Sequence, residues 1–111
     1  MIMIKMPWPP SLNRCYRMYR GRYLLSAEGR AYQANLVKFD GVAFGEKRVS
    51  VKIKAYPPDK RRRDLDNLLK PLLDLMQKGG VFNDDGQIDA LSIVRGEVKK
   101  EGYVVIGIEE L

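Results

Sequence analysis

Residues 48–56 read RVSVKIKAY and residues 65–80 read LDNLLKPLLDLMQKGG, and these two stretches decide the fold. In the first, Val49, Val51, Ile53 and Ala55 alternate with Ser50, Lys52, Lys54 and Tyr56, the period-two pattern of a half-buried strand, which ends at Pro57-Pro58. In the second, Leu65, Leu68, Leu69, Leu72, Leu73 and Met76 recur at helical spacing as a narrow apolar stripe, and Lys78-Gly79-Gly80 supplies the stop. Pro71 removes a backbone hydrogen bond inside this pattern, so the helix either begins close to Asn67 or bends there.

Working outward, the start of the chain, MIMIKM, reads as a short first strand. Ser26 is placed to N-cap a helix running to about Phe39 and stopped at Asp40-Gly41, with Gly29 in its first turn costing roughly 1 kcal/mol. Ile88 to Val98 and Tyr103 to Ile108 are rich in β-branched residues, and Lys99 to Gly102 between them reads as a hairpin connection. The order β-α-β-α-β-β predicts an α+β, two-layer fold: a small mixed four-stranded sheet packed with two main helices. The stretch Pro7 to Leu25 remains as an irregular loop. The 111 residues suffice for one core and not two, so residues 1–111 are expected to form a single domain.

Composition excludes whole classes of chemistry. With no His, there is no His general base, no His zinc site and no Ser-His-Asp or Cys-His nucleophile. Cys15 is alone, which removes intrachain disulfides and thiolate metal sites and leaves it as a packing residue. About six mostly apolar residues precede the Pro9-Pro10 pair, far below the ~18 a membrane span needs, so the expectation is a cytoplasmic protein without membrane association. The net charge of +6 is unevenly placed: residues 1–63 carry 15 Lys/Arg against 4 Asp/Glu, and residues 64–111 carry 5 against 10. A basic half of this kind suits a polyanion, above all nucleic acid.

The acidic residues cluster where catalysis would need them. Asp64 and Asp66 bracket Leu65, and in an extended segment both would point one way, towards a shared cation, while Leu65 turns inward. Carboxylates with waters and a substrate phosphate make a typical Mg²⁺ site; the alternative is that Asp66 or Asn67 caps the helix and Asp64 favours its positive end. Asn83-Asp84-Asp85-Gly86 is either a simple turn or a third carboxylate, which the chain length allows to fold back beside the first two. Lys70, four residues after Asp66, shares its helix face and is either a surface ion pair or a cation for charge building on phosphate. Lys60, Arg61, Arg62 and Arg63 exceed what local neutralisation requires, and Arg14, Tyr16, Arg17, Tyr19, Arg20, Arg22 and Tyr23 interleave guanidinium groups with aromatics, a pattern for phosphate contact and base stacking.

In this order and spacing the chain resembles the RusA family of phage and prophage crossover-junction endonucleases. The matching pieces are Trp8-Pro9-Pro10-Ser11, Asn13-Arg14, Tyr16-Arg17, Arg20-Gly21-Arg22, Ser26-Ala27-Glu28-Gly29, Ala31-Tyr32, Pro58-Asp59 to Asn67, Lys70 and Asp84-Asp85. The resemblance implies a homodimeric, Mg²⁺-dependent resolvase of four-way Holliday junctions, with Mn²⁺ as a substitute ion and no small-molecule cofactor, in the cytoplasm of a bacterial or phage-infected cell. It implies metal ligands at Asp64, Asp66 and Asp85, a catalytic lysine at Lys70, and supporting roles for Asn67 and Asp84. DNA contacts are expected from Asn13, Arg14, Tyr16, Arg17, Arg20, Arg22 and Lys60 to Arg63. The competing readings are a less selective flap or fork nuclease and a non-catalytic basic module whose carboxylates are only caps and turns.

Overall fold

The computed structural model describes residues 1–111. In chain order the elements are β1 (Ile2–Pro7), α1 (Leu12–Cys15), β2 (Tyr16–Tyr19), β3 (Arg22–Leu25), α2 (Ala27–Gln33), β4 (Val49–Tyr56), α3 (Asp66–Lys78), β5 (Ile88–Arg95) and β6 (Tyr103–Glu110), with 3₁₀ turns at Ala34–Phe39 and Asp85–Gln87. The main sheet has the order β1-β6-β4-β5, parallel between β4 and β5 and antiparallel elsewhere. The expected mixed four-stranded α+β architecture is therefore present, with the alternating stretch as an inner strand.

Helix α3 covers one face of this sheet. Its Leu68, Leu72, Leu75 and Met76 are buried with Val49, Val51, Ile53 and Ala55 of β4 and Val104, Ile106 and Ile108 of β6. Each large side chain so buried contributes about 1.5–3 kcal/mol, which fixes the helix on the sheet and thereby fixes its opposite, exposed face. Pro71 sits in the second turn of α3, so the helix begins ahead of it, at Asp66, and accommodates it as a buried residue.

Three expectations are corrected. First, β5 and β6 do not form a hairpin: both pair with β4, on opposite sides. Strand β5 stops at Arg95, and residues 96–102 cross the end of β4, with Gly96 N–H donating to the Ala55 carbonyl and Lys99 N–H to that of Pro57. Second, Pro7 to Leu25 is not irregular; it holds α1 and the β2-β3 hairpin, turned by Arg20 (φ 50°) and Gly21 (φ 75°). Two consecutive positive φ values make the two-residue turn that matches strand twist. Third, the helix from Ser26 is α-helical only to Gln33 and tightens to 3₁₀ up to Phe39. Ser26 does cap it, accepting from Gly29 N–H at 3.0 Å. Gly29 is needed for contact rather than flexibility, because a Cβ there would lie 2.3 Å from the Cys15 carbonyl oxygen.

Candidate active site

The first turn of α3 leaves its acidic side chains free. Leu65 is the N-cap with helical backbone (φ −62°, ψ −36°), and no side chain caps the helix. The capping alternative for Asp66 and Asn67 is thus not used, and neither Asp64 nor Asp66 enters an ion pair. The helical conformation of Leu65 also corrects the extended geometry expected for residues 64–66. The alternation that would aim Asp64 and Asp66 the same way belongs to extended backbone, and a helical Leu65 does not provide it. Asp64 lines a cleft with Trp8, Arg14 and Arg62, while Asp66 shares by its spacing the exposed face of Lys70 and Asp74.

The second acidic segment does return to that face. Asp84 caps the 3₁₀ turn of Asp85–Gln87 by accepting from Gly86 N–H at 3.2 Å. Asp85 N–H donates to Gln77 Oε1 of α3 at 3.2 Å, tying the turn to the helix. The Asp85 carboxyl is raised above the usual carboxylate range, first by its hydrogen bond with Asp84, then by partial burial and by the charges of Asp84 and Asp74, against the opposing pull of Lys70. The charges of Lys70 and Asp74 thus reach Asp85, and Asp66 lies four residues before Lys70, about 6 Å along the axis.

Gln87 builds this turn and was not singled out by sequence reasoning. Buried in the structure, its Oε1 accepts from Asn83 and Asp84 N–H, both at 2.9 Å, and its Nε2 donates to the Gly45 and Lys47 carbonyls, both at 2.8 Å. The only sequence signal was the Asp-x-x-Gln spacing of a capping box.

Lys70 pairs with Asp74 at 3.2 Å rather than with Asp66. The Tyr16 hydroxyl donates to the same Asp74 oxygen, and Lys70 Nζ lies 5.0 Å from the centre of the Tyr16 ring. Burial, followed by the Asp74 carboxylate, pushes the Tyr16 hydroxyl well above the usual phenol range, so it remains a donor. The ammonium is held by a carboxylate that is itself held by a tyrosine. If Lys70 acts on phosphate, Asp74→Asn should lower the cleavage rate about tenfold by freeing it, within the range that supporting shells contribute. Tyr16→Phe should lower it by less, and adding it to Asp74→Asn should change nothing further; single-turnover kinetics of the two single variants and the double variant check this.

Tyr16 is consequently turned inward and is not a surface for bases, unlike Arg17, Tyr19, Arg20, Arg22 and Tyr23, which are exposed on the hairpin. Asn13 and Arg14 lie on α1, where Arg14 pairs with Glu28 at 3.2 Å. In the basic run, Asp59 accepts from Arg63 at 2.7 and 3.2 Å and from Arg61 N–H at 2.8 Å. Arg63 foremost, then the Arg61 N–H, hold the Asp59 carboxyl down to about 2. Arg63 is thereby a structural residue of this loop, while Lys60, Arg61 and Arg62 are exposed.

No three acidic side chains come close enough to enclose an ion between them. Asp66 opens α3, Asp85 is tied to Gln77 further along the same helix, and Asp64 lines the adjoining cleft. Hard oxygen donors of this kind fit a divalent ion that retains most of its water and takes only one or two carboxylates from protein.

Residues 7–109 match the family model described as Endodeoxyribonuclease RusA. The chain is 41% identical to the crossover junction endodeoxyribonuclease RusA of Shigella sonnei (strain Ss046), over 97% of this chain and 93% of that protein. It is equally similar to the protein of that name from Escherichia coli (strain K12), and 42% identical, over the same shares, to that from Enterobacteria phage 82. With nearly its whole length matched by both comparisons, this chain belongs to the RusA family of endodeoxyribonucleases.

Proposed function

We propose that this chain is a structure-specific endodeoxyribonuclease that resolves four-way junctions as a homodimer, each subunit nicking one of two opposed strands. Residues 1–111 act as one catalytic domain, working in the cytoplasm of a bacterial or phage-infected cell. The observation that carries the reading is the start of α3: Asp64 ahead of its N-cap and Asp66 in its first turn, free of capping and of ion pairs, and one turn on a lysine bonded to Asp74 and set over the Tyr16 ring. Its relatives over nearly the full length are named crossover junction endodeoxyribonucleases.

Asp64, Asp66 and Asp85 are the carboxylates available to Mg²⁺, or Mn²⁺ in its place, which would take one or two of them at a time and keep most of its water, with Asp84 and Asn67 in support. The ion when bound supplies an activated water and offsets charge on the in-line transition state. Lys70 directs its ammonium at a non-bridging phosphate oxygen, where negative charge grows, and Asp74 restrains it there. Arg17, Arg20, Arg22, Lys60, Arg61 and Arg62 hold the sugar-phosphate backbone. A four-way junction has approximate two-fold symmetry, so a two-fold dimer presents one site to each of two opposed strands.

The test is cleavage, in Mg²⁺, of end-labelled four-way, flap and linear duplexes of equal arm length. Paired, symmetric nicks confined to the four-way substrate are expected. Equal cutting of flaps makes the chain a less selective nuclease, and junction binding without cutting in any divalent ion makes it a binding module. Affinity should also fall with salt. Six phosphate contacts give a slope of about −5.4 in log K against log salt, hence about 2,000-fold weaker binding at 200 mM than at 50 mM. Anisotropy of a labelled junction in EDTA measures this, and an affinity indifferent to salt overturns the backbone contacts.

A further inference from the structure

The cleft that Asp64 lines is a cavity of about 620 Å³ beside, rather than within, the acidic face of α3. That volume lies in the range of pockets that accept a compact ligand and is ample for one nucleotide. Its aromatic wall is Trp8, the only tryptophan of the chain, directly after β1. The Tyr32 hydroxyl fixes the backbone just ahead of it by donating to the Pro7 carbonyl at 2.6 Å, the indole packs in part against the core, and the Arg63 guanidinium, itself fixed by Asp59, lies 5.7 Å from the ring centre. The lining also includes Arg62, Asn67 and the ion pair of Arg14 with Glu28. Arg62 has no carboxylate partner, so it is free for a phosphate.

From this arrangement we infer that the cleft seats one unstacked nucleotide of the DNA branch point, its base on Trp8, its phosphate on Arg62, and its base edge on the Asn67 amide. The inference rests on the nuclease reading and gives it a source of selectivity. Bases at a branch point lose stacking neighbours, whereas bases within a duplex keep both. A rigid aromatic wall accepts any exposed base face, and an amide offers both donor and acceptor to its edge. Because Asp64 lines the same cleft, the seated nucleotide lies next to the acidic face, so the strand that donates the base is the strand presented for cutting.

Trp8 reports on its own occupancy. The emission of the full-length protein is titrated with a four-way junction, and separately with a linear duplex of equal length, in EDTA, while anisotropy of a dye on the DNA follows binding. Quenching that tracks junction binding and is absent with bound duplex is expected. Junction binding with no change in emission, or equal quenching by duplex, overturns the nucleotide site and leaves the nuclease reading intact; absence of junction binding overturns both. Trp8→Leu should reduce the preference for junction over duplex about 5- to 150-fold, the span of one base-aromatic stack, and Trp8→Tyr should restore most of it. A preference unchanged in Trp8→Leu also overturns the site. Should that variant fail to fold, the emission titration of the natural protein decides.

Discussion

Asp66→Asn is expected to lower the single-turnover cleavage rate at least about 1,000-fold while junction affinity stays equal or rises. Losing one carboxylate from a divalent ion removes several kcal/mol of transition-state stabilisation, and every 1.36 kcal/mol is a factor of ten. Affinity moves the other way because a negative charge disappears from beside the DNA phosphates. The substitution is nearly isosteric, and Asp66 is exposed and neither caps α3 nor pairs with a cation, so the fold has nothing to lose. Cleavage in saturating Mg²⁺, anisotropy in EDTA and a thermal melt make up the measurement. A rate within tenfold of the natural protein removes Asp66 from the metal site, and a collapse of binding with an unchanged melt assigns it to DNA contact instead.

That test matters because the sequence and the structure agree on which residues bear the chemistry more than on how they meet. Helix α3, strand β4 and the free face carrying Asp66 and Lys70 were legible, since each follows from a local period of apolar side chains. The return of Asp85 to α3 was legible as an allowance of chain length alone; what realises it is the Asp85–Gln77 contact, which no local pattern announces. The helical rather than extended backbone between Asp64 and Asp66 was hidden because one angle decides it, the ψ of Leu65. Strand order was hidden for a different reason: β-branched runs say that β5 and β6 are strands, not that both choose β4 as neighbour. The β2-β3 hairpin escaped because its turn carries Arg20 at a left-handed position where Asn or Asp would signal it, leaving Gly21 as the sole cue. Tyr16 looked like one more aromatic in a basic segment, and only its partner Asp74, fifty-eight residues away, separates it from Tyr19 and Tyr23.

Gln87 gives the second large effect, this time through stability. Gln87→Leu is expected to cost about 3–5 kcal/mol and to lower the melting midpoint by on the order of 10–20 °C. The apolar replacement fills the same space but leaves the Asp84 N–H and the Lys47 carbonyl without a partner, and leaves the Asn83 N–H and the Gly45 carbonyl only their long mutual bond of 3.3 Å. Each buried group so orphaned costs about 1–3 kcal/mol, and the total falls below a simple sum because Asn83 and Asp84 lie near water. Amide exchange at Asp84 should quicken well below the melting point, since its protection comes from this side chain, and exchange at Asn83 should quicken less because it keeps the Gly45 carbonyl. Cleavage should fail with the turn, as Asp85 is held in place by the same segment. Gln87→Glu separates the contacts: it keeps both acceptor interactions but sets a carboxylate against two carbonyl oxygens. Its carboxyl should therefore titrate above the ordinary range when folded, so the deficit relative to the natural protein shrinks as pH falls and the side chain gains a proton to donate. A Gln87→Leu midpoint within a few degrees of the natural protein would mean that the acidic turn is fixed by Asp84 and the Gln77 contact alone.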